Sequence, residues 1–134
     1  MSHGKNRLVS LAIGPLPIDT INRTLDLELD AGDVVLSAGV QKHVLRNHPE
    51  DFARCLPHIA TVVLNPLYVG DDFKNPGCIE VISRISTIGS GLLVAVSIEQ
   101  NDKGQYEIRS FYPVSDGKIQ NRLTKGYLKR AQKR

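Results

Sequence analysis

A chain of 134 residues, 41% hydrophobic and 23% charged, has the length and balance of one globular domain that can bury its own core. It has no apolar run near the ~20 residues needed to cross a bilayer, and Met1 to Arg7 lack the apolar core of a signal peptide, so the expected location is cytoplasmic. Two separated cysteines, Cys55 and Cys78, exclude a disulfide scaffold and, with no Cys-x-x-Cys pair or histidine cluster beside them, a zinc site; they read as two reduced small hydrophobes.

The net charge of +3 is unevenly spread. Seven of the 17 Lys and Arg residues and none of the 14 Asp and Glu residues lie in 118–134, which leaves −4 for the rest of the chain. Such a basic block suits an anionic partner such as nucleic acid, and equally a solubilising helix end.

In chain order, Arg7 to Ile13 reads as a short strand stopped by Gly14-Pro15, and Pro17 to Arg23 as a turn or two of helix. Leu25, Leu27 and Leu29 alternate with Asp26, Glu28 and Asp30, the pattern of a half-buried strand. Val34-Val35-Leu36 is a brief strand. Ser37 caps a helix through about Asn47, His48-Pro49 breaks it, and Pro49 opens the next. Pro57 ends or kinks that helix, and a further segment runs to Leu64 before Asn65-Pro66. A loop over 70–77 precedes three strands, Ile79–Ile85, Leu92–Glu99 and Tyr106–Val114, joined by hairpin-like turns into an antiparallel meander. A basic helix over Lys118 to about Ala131 closes the chain. Helices first and sheet afterwards is an α+β pattern. The expected architecture is N-terminal helices packed on a small antiparallel sheet with a basic C-terminal helix. Residues 1–24 are expected to form an extension, and 25–134 the domain.

The segment Gln41-Lys-His-Val-Leu-Arg-Asn-His-Pro49 carries the clearest chemistry. At about 100° per residue, Val40 and Val44 define a buried face, with His48 near the side of Val44 and His43 between that face and the cations Lys42 and Arg46. Imidazoles titrate near neutrality, so this grouping suits proton transfer beside a phosphate; a helix-end histidine bonded to a carbonyl fits the same pattern. His58 reads as structural and His3 as part of a disordered start. His43 and His48 lack the i, i+4 spacing of a helical zinc pair, Glu50 and Asp51 complete no triad, and no glycine-rich phosphate loop is present; neither metal nor cofactor is expected.

In the last strand, simple alternation puts Tyr106, Ile108, Ser110 and Tyr112 on one face and Glu107, Arg109 and Phe111 on the other. The Ser110 hydroxyl and the Tyr112 phenol can bind a phosphate or orient a base, or simply pack at a strand edge. Arg84 is a candidate for neutralising transition-state charge, or a solvated strand-end cation. A second choice of site is the face bearing Glu80, Arg84, Ser97 and Arg109.

The order of these motifs resembles a known family. A helix with His-Val-Leu-Arg-Asn-His-Pro49 is followed by Ile59-Ala-Thr-Val-Val-Leu-Asn-Pro66, a meander, Ile108-Arg-Ser-Phe-Tyr-Pro113 and Lys118-Ile-Gln-Asn-Arg-Leu-Thr-Lys-Gly126. Over roughly residues 25–130 this is similar to the phage-type branch of the barnase–EndoU–colicin–RelE nuclease superfamily. The resemblance implies an α+β fold and metal-free RNA cleavage, often by a toxin or a phage or mobile-element effector. It maps the family's helix histidine to His48 or His43, its Ser/Thr-x-aromatic to Ser110 and Tyr112, and its basic strand residue to Arg84.

The expected function is an endoribonuclease that uses the substrate 2′-OH to form a 2′,3′-cyclic phosphate, with Lys42, Arg46, Lys118, Arg122, Lys125 and Lys129 contacting RNA. The alternative is a non-catalytic RNA- or protein-binding module of the same fold. Expected partners are RNA, tRNA among the candidates, and an immunity or antitoxin protein; no membrane partner is expected. With 5% aromatic residues and no Trp, extensive base stacking is not expected.

Overall fold

The computed structural model describes residues 7–72 and 74–133. It is an α+β fold built on a seven-stranded sheet in the order β1-β2-β6-β5-β4-β3-β7. The strands are β1 (Leu11–Pro15), β2 (Asp33–Leu36), β3 (Tyr68–Asp71), β4 (Cys78–Ile85), β5 (Ser90–Ser97), β6 (Tyr106–Val114) and β7 (Leu128–Arg130). Neighbouring strands run antiparallel, except that β2 lies parallel to β6.

Helices α1 (Ile18–Leu25), α2 (Ala38–Asn47), α3 (Pro49–Cys55) and α4 (Ile59–Leu64) cover one face. Their boundaries follow local chemistry. The Ser37 hydroxyl accepts from the Val40 amide and caps α2. His48 leaves helical geometry at the α2–α3 junction, where Pro49 requires it. A 3-10 turn, Leu56–His58, carries Pro57 between α3 and α4. Val44, with Ile21, Phe52 and Val63 from the other helices, packs on Val81, Val94, Ile108 and Phe111. The opposite face bears a smaller cluster, in which Ile119 of α5 (Asp116–Thr124) meets Ile82, Leu93, Ala95 and Val114.

The structure corrects the sequence expectations in five places. The sheet is neither small nor wholly antiparallel. Residues 26–30 are not a strand: Asp26 closes α1 in the left-handed region, at φ 56°. The Asn22 amide then brackets Leu29, accepting from its N–H at 2.9 Å and donating to its carbonyl at 3.1 Å, so a side chain satisfies the groups a partner strand would take. The expected 70–77 loop begins later, because Tyr68–Asp71 pairs with β4 on one side and β7 on the other. The segment assigned to an extension supplies β1 and α1, with Leu16 and Ile21 buried in the main core, so no boundary falls at residue 24.

The fifth correction is the C-terminal helix, which stops at Thr124 instead of running to Ala131. Gly126, at φ +79°, adopts a conformation that costs other residues dearly. Its N–H donates to Leu123, and the Tyr127 N–H donates to Arg122, which together form a Schellman cap. The chain then reverses into β7. The basic segment after the helix is tied down: Ala131 N–H donates to Leu67, Gln132 N–H to the Thr24 hydroxyl, and Arg23 to the Gln132 carbonyl.

Candidate active site

Strand β6 contains a bulge that decides which side chains share a site. Ala95 pairs with Ser110 but Val96 pairs with Ile108, leaving Arg109 as the extra residue. The expected alternation therefore fails after Ile108. Phe111 joins Tyr106 and Ile108 in the main core, while Ser110 and Tyr112 turn to the face that carries α5.

On that face the strand registers align Glu80, Ala95 and Ser110 in one row, Cys78 and Ser97 in the row beyond, and Ile82, Leu93 and Tyr112 in the row before. Adjacent partners stand about 4.8 Å apart. Ala95, the small residue between Glu80 and Ser110, leaves the floor low. An open cleft of about 1050 Å³ lies here. Its floor and rim include Glu80, Ser97, Arg109, Ser110 and Tyr112; the end of β3 adds Asp71, and the β3–β4 loop adds Asp72 and Lys74. Helix α5 presents Lys118 and Arg122 and its C-cap presents Lys125, three cations that the helical periodicity places on one side.

At the centre, Arg122 donates to the carboxylate of Glu80. The Glu80 side chain is 9% exposed and that of Arg122 26%. Burial pushes the Glu80 carboxyl above its ordinary range; Arg122 opposes the shift, and the charge of Asp72 adds to it. Burial, followed by the nearby Glu80 charge, raises the Tyr112 phenol, while Arg122 works in the other direction. Tyr112 thus stays a hydrogen-bond donor at neutral pH. The arrangement joins a carboxylate able to exchange a proton, two hydroxyls and several fixed cations on one floor, the parts needed to deprotonate a nucleophile beside a phosphate and neutralise the charge that develops.

The structure brings together Ser110, Tyr112, Lys118, Arg122 and Lys125 from the sequence-derived candidates, with Glu80, Ser97 and Arg109 from the second-choice face. It does not bring the histidines there. Val44 anchors α2 in the core on the other side of the sheet, and Lys42, His43, Arg46 and His48 are exposed on that helix's outer surface. The His43 ring lies 3.3 Å from the Asn47 amide nitrogen. His48 spends its backbone on the junction, its N–H donating to Val44 and its carbonyl accepting from Phe52. His58 bonds the Thr87 hydroxyl at 3.1 Å, and His3 lies outside the described residues.

Arg84 is also outside the cleft. Its guanidinium donates to Asp116 at 3.0 Å and to the Tyr68 hydroxyl at 2.9 Å, clamping the start of α5 to the sheet. Lys129 lies on β7 beside a second, smaller pocket. Both cysteines are free; Cys55 is buried, and Cys78 lines the cleft. Among the described residues, no group of three or more His, Cys, Asp or Glu side chains is arranged to hold a metal ion, and no helix is long and apolar enough to cross a membrane.

The sequence reading missed the pairing of Glu80 with Arg122 and the cleft positions Asn121 and Tyr127. One signal was available: Glu80 is the lone acid in an otherwise apolar strand, Ile79-Glu-Val-Ile82, where a buried charge needs a partner.

No curated protein and no solved structure matches the chain. The family described as phage-Barnase-EndoU-ColicinE5/D-RelE like nuclease3 matches residues 12–121, a span that runs from β1 through the cleft floor into α5, and the chain belongs to that nuclease family.

Proposed function

We propose that the cleft cleaves RNA by internal phosphoryl transfer. The observation that carries the reading is the buried Glu80 carboxylate, paired with Arg122 and aligned through Ala95 with Ser110 on a nuclease-family sheet. Glu80 takes the proton of the substrate 2′-OH. The 2′-oxygen bonds to the adjacent phosphorus as the bond to the 5′-oxygen breaks, and the departing oxygen takes a proton from water. The products are a 2′,3′-cyclic phosphate and a free 5′-OH. Arg109 and Arg122 neutralise charge on the phosphoryl oxygens, the hydroxyls of Ser110 and Tyr112 donate to them, and Lys118 and Lys125 hold the flanking backbone. No metal takes part in this scheme. The chain acts in this reading as an effector nuclease of the phage or mobile-element type, with tRNA among its substrates and a cognate inhibitor protein as its partner.

The test is incubation with total RNA and with tRNA in the presence of EDTA, followed by end-group analysis. Fragments ending in 2′,3′-cyclic phosphate from the wild type, and their loss in Glu80→Gln, support the proposal. Cleavage only with added divalent ions, or fragments with 3′-OH ends, overturns the mechanism. Binding without cleavage favours a non-catalytic module.

A further inference from the structure

The cleft does not end at the cations of α5. Tyr127 and Asp71 form part of its rim, and the same two residues line a second pocket of about 180 Å³. The remaining walls of that pocket are the apolar Leu25, Leu27, Ile79 and Ile98, with Gly126 and Lys129 completing them. Tyr127 is 48% exposed, a large aromatic surface at the join between a polar groove and a greasy recess.

We propose that this junction is a nucleobase subsite, which stacks the base of a nucleotide flanking the scissile phosphate on the Tyr127 ring; the inference rests on the nuclease reading of the cleft. Size argues for a single base. Pockets for drug-sized ligands start at about 300 Å³, whereas an apolar cavity of about 150 Å³ admits benzene. Chemistry argues the same way. The apolar walls suit the flat face of a heterocycle, and the Asp71 carboxylate on the shared rim accepts from an amino or imino N–H on its edge. Continuity supplies the occupant: the cleft and the pocket share Asp71 and Tyr127, so a chain whose phosphate lies among Glu80, Arg122 and Ser110 carries a neighbouring base towards Tyr127. In the sheet registers, Leu128 and Glu80 both pair with Gly70, so Leu128, the residue after Tyr127, stands about two strand spacings, roughly 10 Å, from Glu80.

The position of the ring is built into the fold. The Tyr127 N–H donates to the Arg122 carbonyl at 3.0 Å, so one helix end fixes both the phosphate-facing guanidinium and the aromatic ring. Beneath it, a Cβ on Gly70 would stand 2.5 Å from the Tyr127 carbonyl oxygen, and only glycine lets β7 approach so closely. Tyr127 lies beyond residues 12–121, the span matched by the family, whereas Leu25, Leu27, Asp71, Ile79 and Ile98 lie within it.

The test uses 2′-O-methyl RNA hexanucleotides, which lack the attacking hydroxyl, with 2-aminopurine placed at each position in turn. Wild type and Tyr127→Phe should alter the fluorescence of the probe at one position on binding. Tyr127→Ala should lose that signal and bind about 5-fold to 150-fold more weakly, the range of one base–aromatic stack. Its salt dependence should not change, because no phosphate contact is removed. An abasic nucleotide at the same position should weaken wild type and leave Tyr127→Ala unaffected. Wild-type binding with Tyr127→Ala equally tight, or equally sensitive to the abasic site, overturns the subsite and leaves the nuclease reading standing. Failure of wild type to bind any of the hexanucleotides overturns both.

Discussion

Arg122 on α5 donates to Glu80 on β4, so the helix and the sheet meet at the centre of the cleft through a carboxylate–guanidinium pair. Glu80→Gln keeps the shape of the side chain and removes the proposed base. Cleavage of tRNA should fall at least about a hundredfold, in the range of a lost general base, with the fold retained by circular dichroism. Arg122→Ala is harsher, because it strands a buried carboxylate; a loss of roughly 1–3 kcal/mol in denaturant unfolding is expected. Glu80→Gln combined with Arg122→Ala should lose less stability than Arg122→Ala alone.

The raised pKa of Glu80 fixes the sign of two pH effects. As a base, Glu80 must be ionised, so kcat/KM rises with pH through its elevated pKa, and that limb disappears in Glu80→Gln. For stability the folded-state pKa lies above the unfolded one. The contribution is therefore fully present below the ordinary glutamate range and is lost as pH rises through the elevated value. The melting temperature of Glu80→Gln relative to wild type should accordingly climb as pH rises above the ordinary glutamate range. A constant difference would mean that Glu80 carries no such shift.

Ser110→Ala and Tyr112→Phe each remove one hydroxyl from the cleft floor. A fall of about a hundredfold in kcat is expected for each lost transition-state donor. His43→Ala and His48→Ala, on the opposite face of the sheet, should cleave at the parent rate and shift stability by only about 0.5 kcal/mol. Loss of cleavage in either histidine variant, with Ser110→Ala and Tyr112→Phe fully active, would transfer the chemistry to the α2 surface.

The cations should separate by salt titration. Lys118→Gln and Lys125→Gln should each flatten the slope of log affinity against log salt by about 0.7, the value for one single-strand phosphate contact. Lys42→Gln and Arg46→Gln should leave the slope unchanged.

Much of this architecture can be read from local chemistry. The Ser37 cap, the His48-Pro49 break, the kink at Pro57 and the three long strands all depend on residues close in sequence, and each lies where those residues require. What escaped depends on partners far along the chain. Alternation in Leu25–Asp30 looks like a strand until Asn22 takes the backbone groups that a neighbour would have used. The short β3 and β7 exist because they pair with each other. The Arg109 bulge has no composition of its own, yet it moves Ser110 and Tyr112 to the other face from the helix that bears the histidines. Gly126 was the exception, a helix stop visible in the sequence and overrun by the basic pattern around it.

The order in which the cleft is assembled has a consequence for biosynthesis. Its floor is laid down by residues 78–112, while its guanidinium and aromatic wall, Arg122 and Tyr127, come afterwards. Even β2, near the start, finds its parallel partner only at Tyr106 and Glu107. At the ~5–20 residues per second of translation, the cell holds each nascent chain for seconds with Glu80 made and Arg122 missing. The cleft is therefore not complete until the chain has been polymerised through Tyr127.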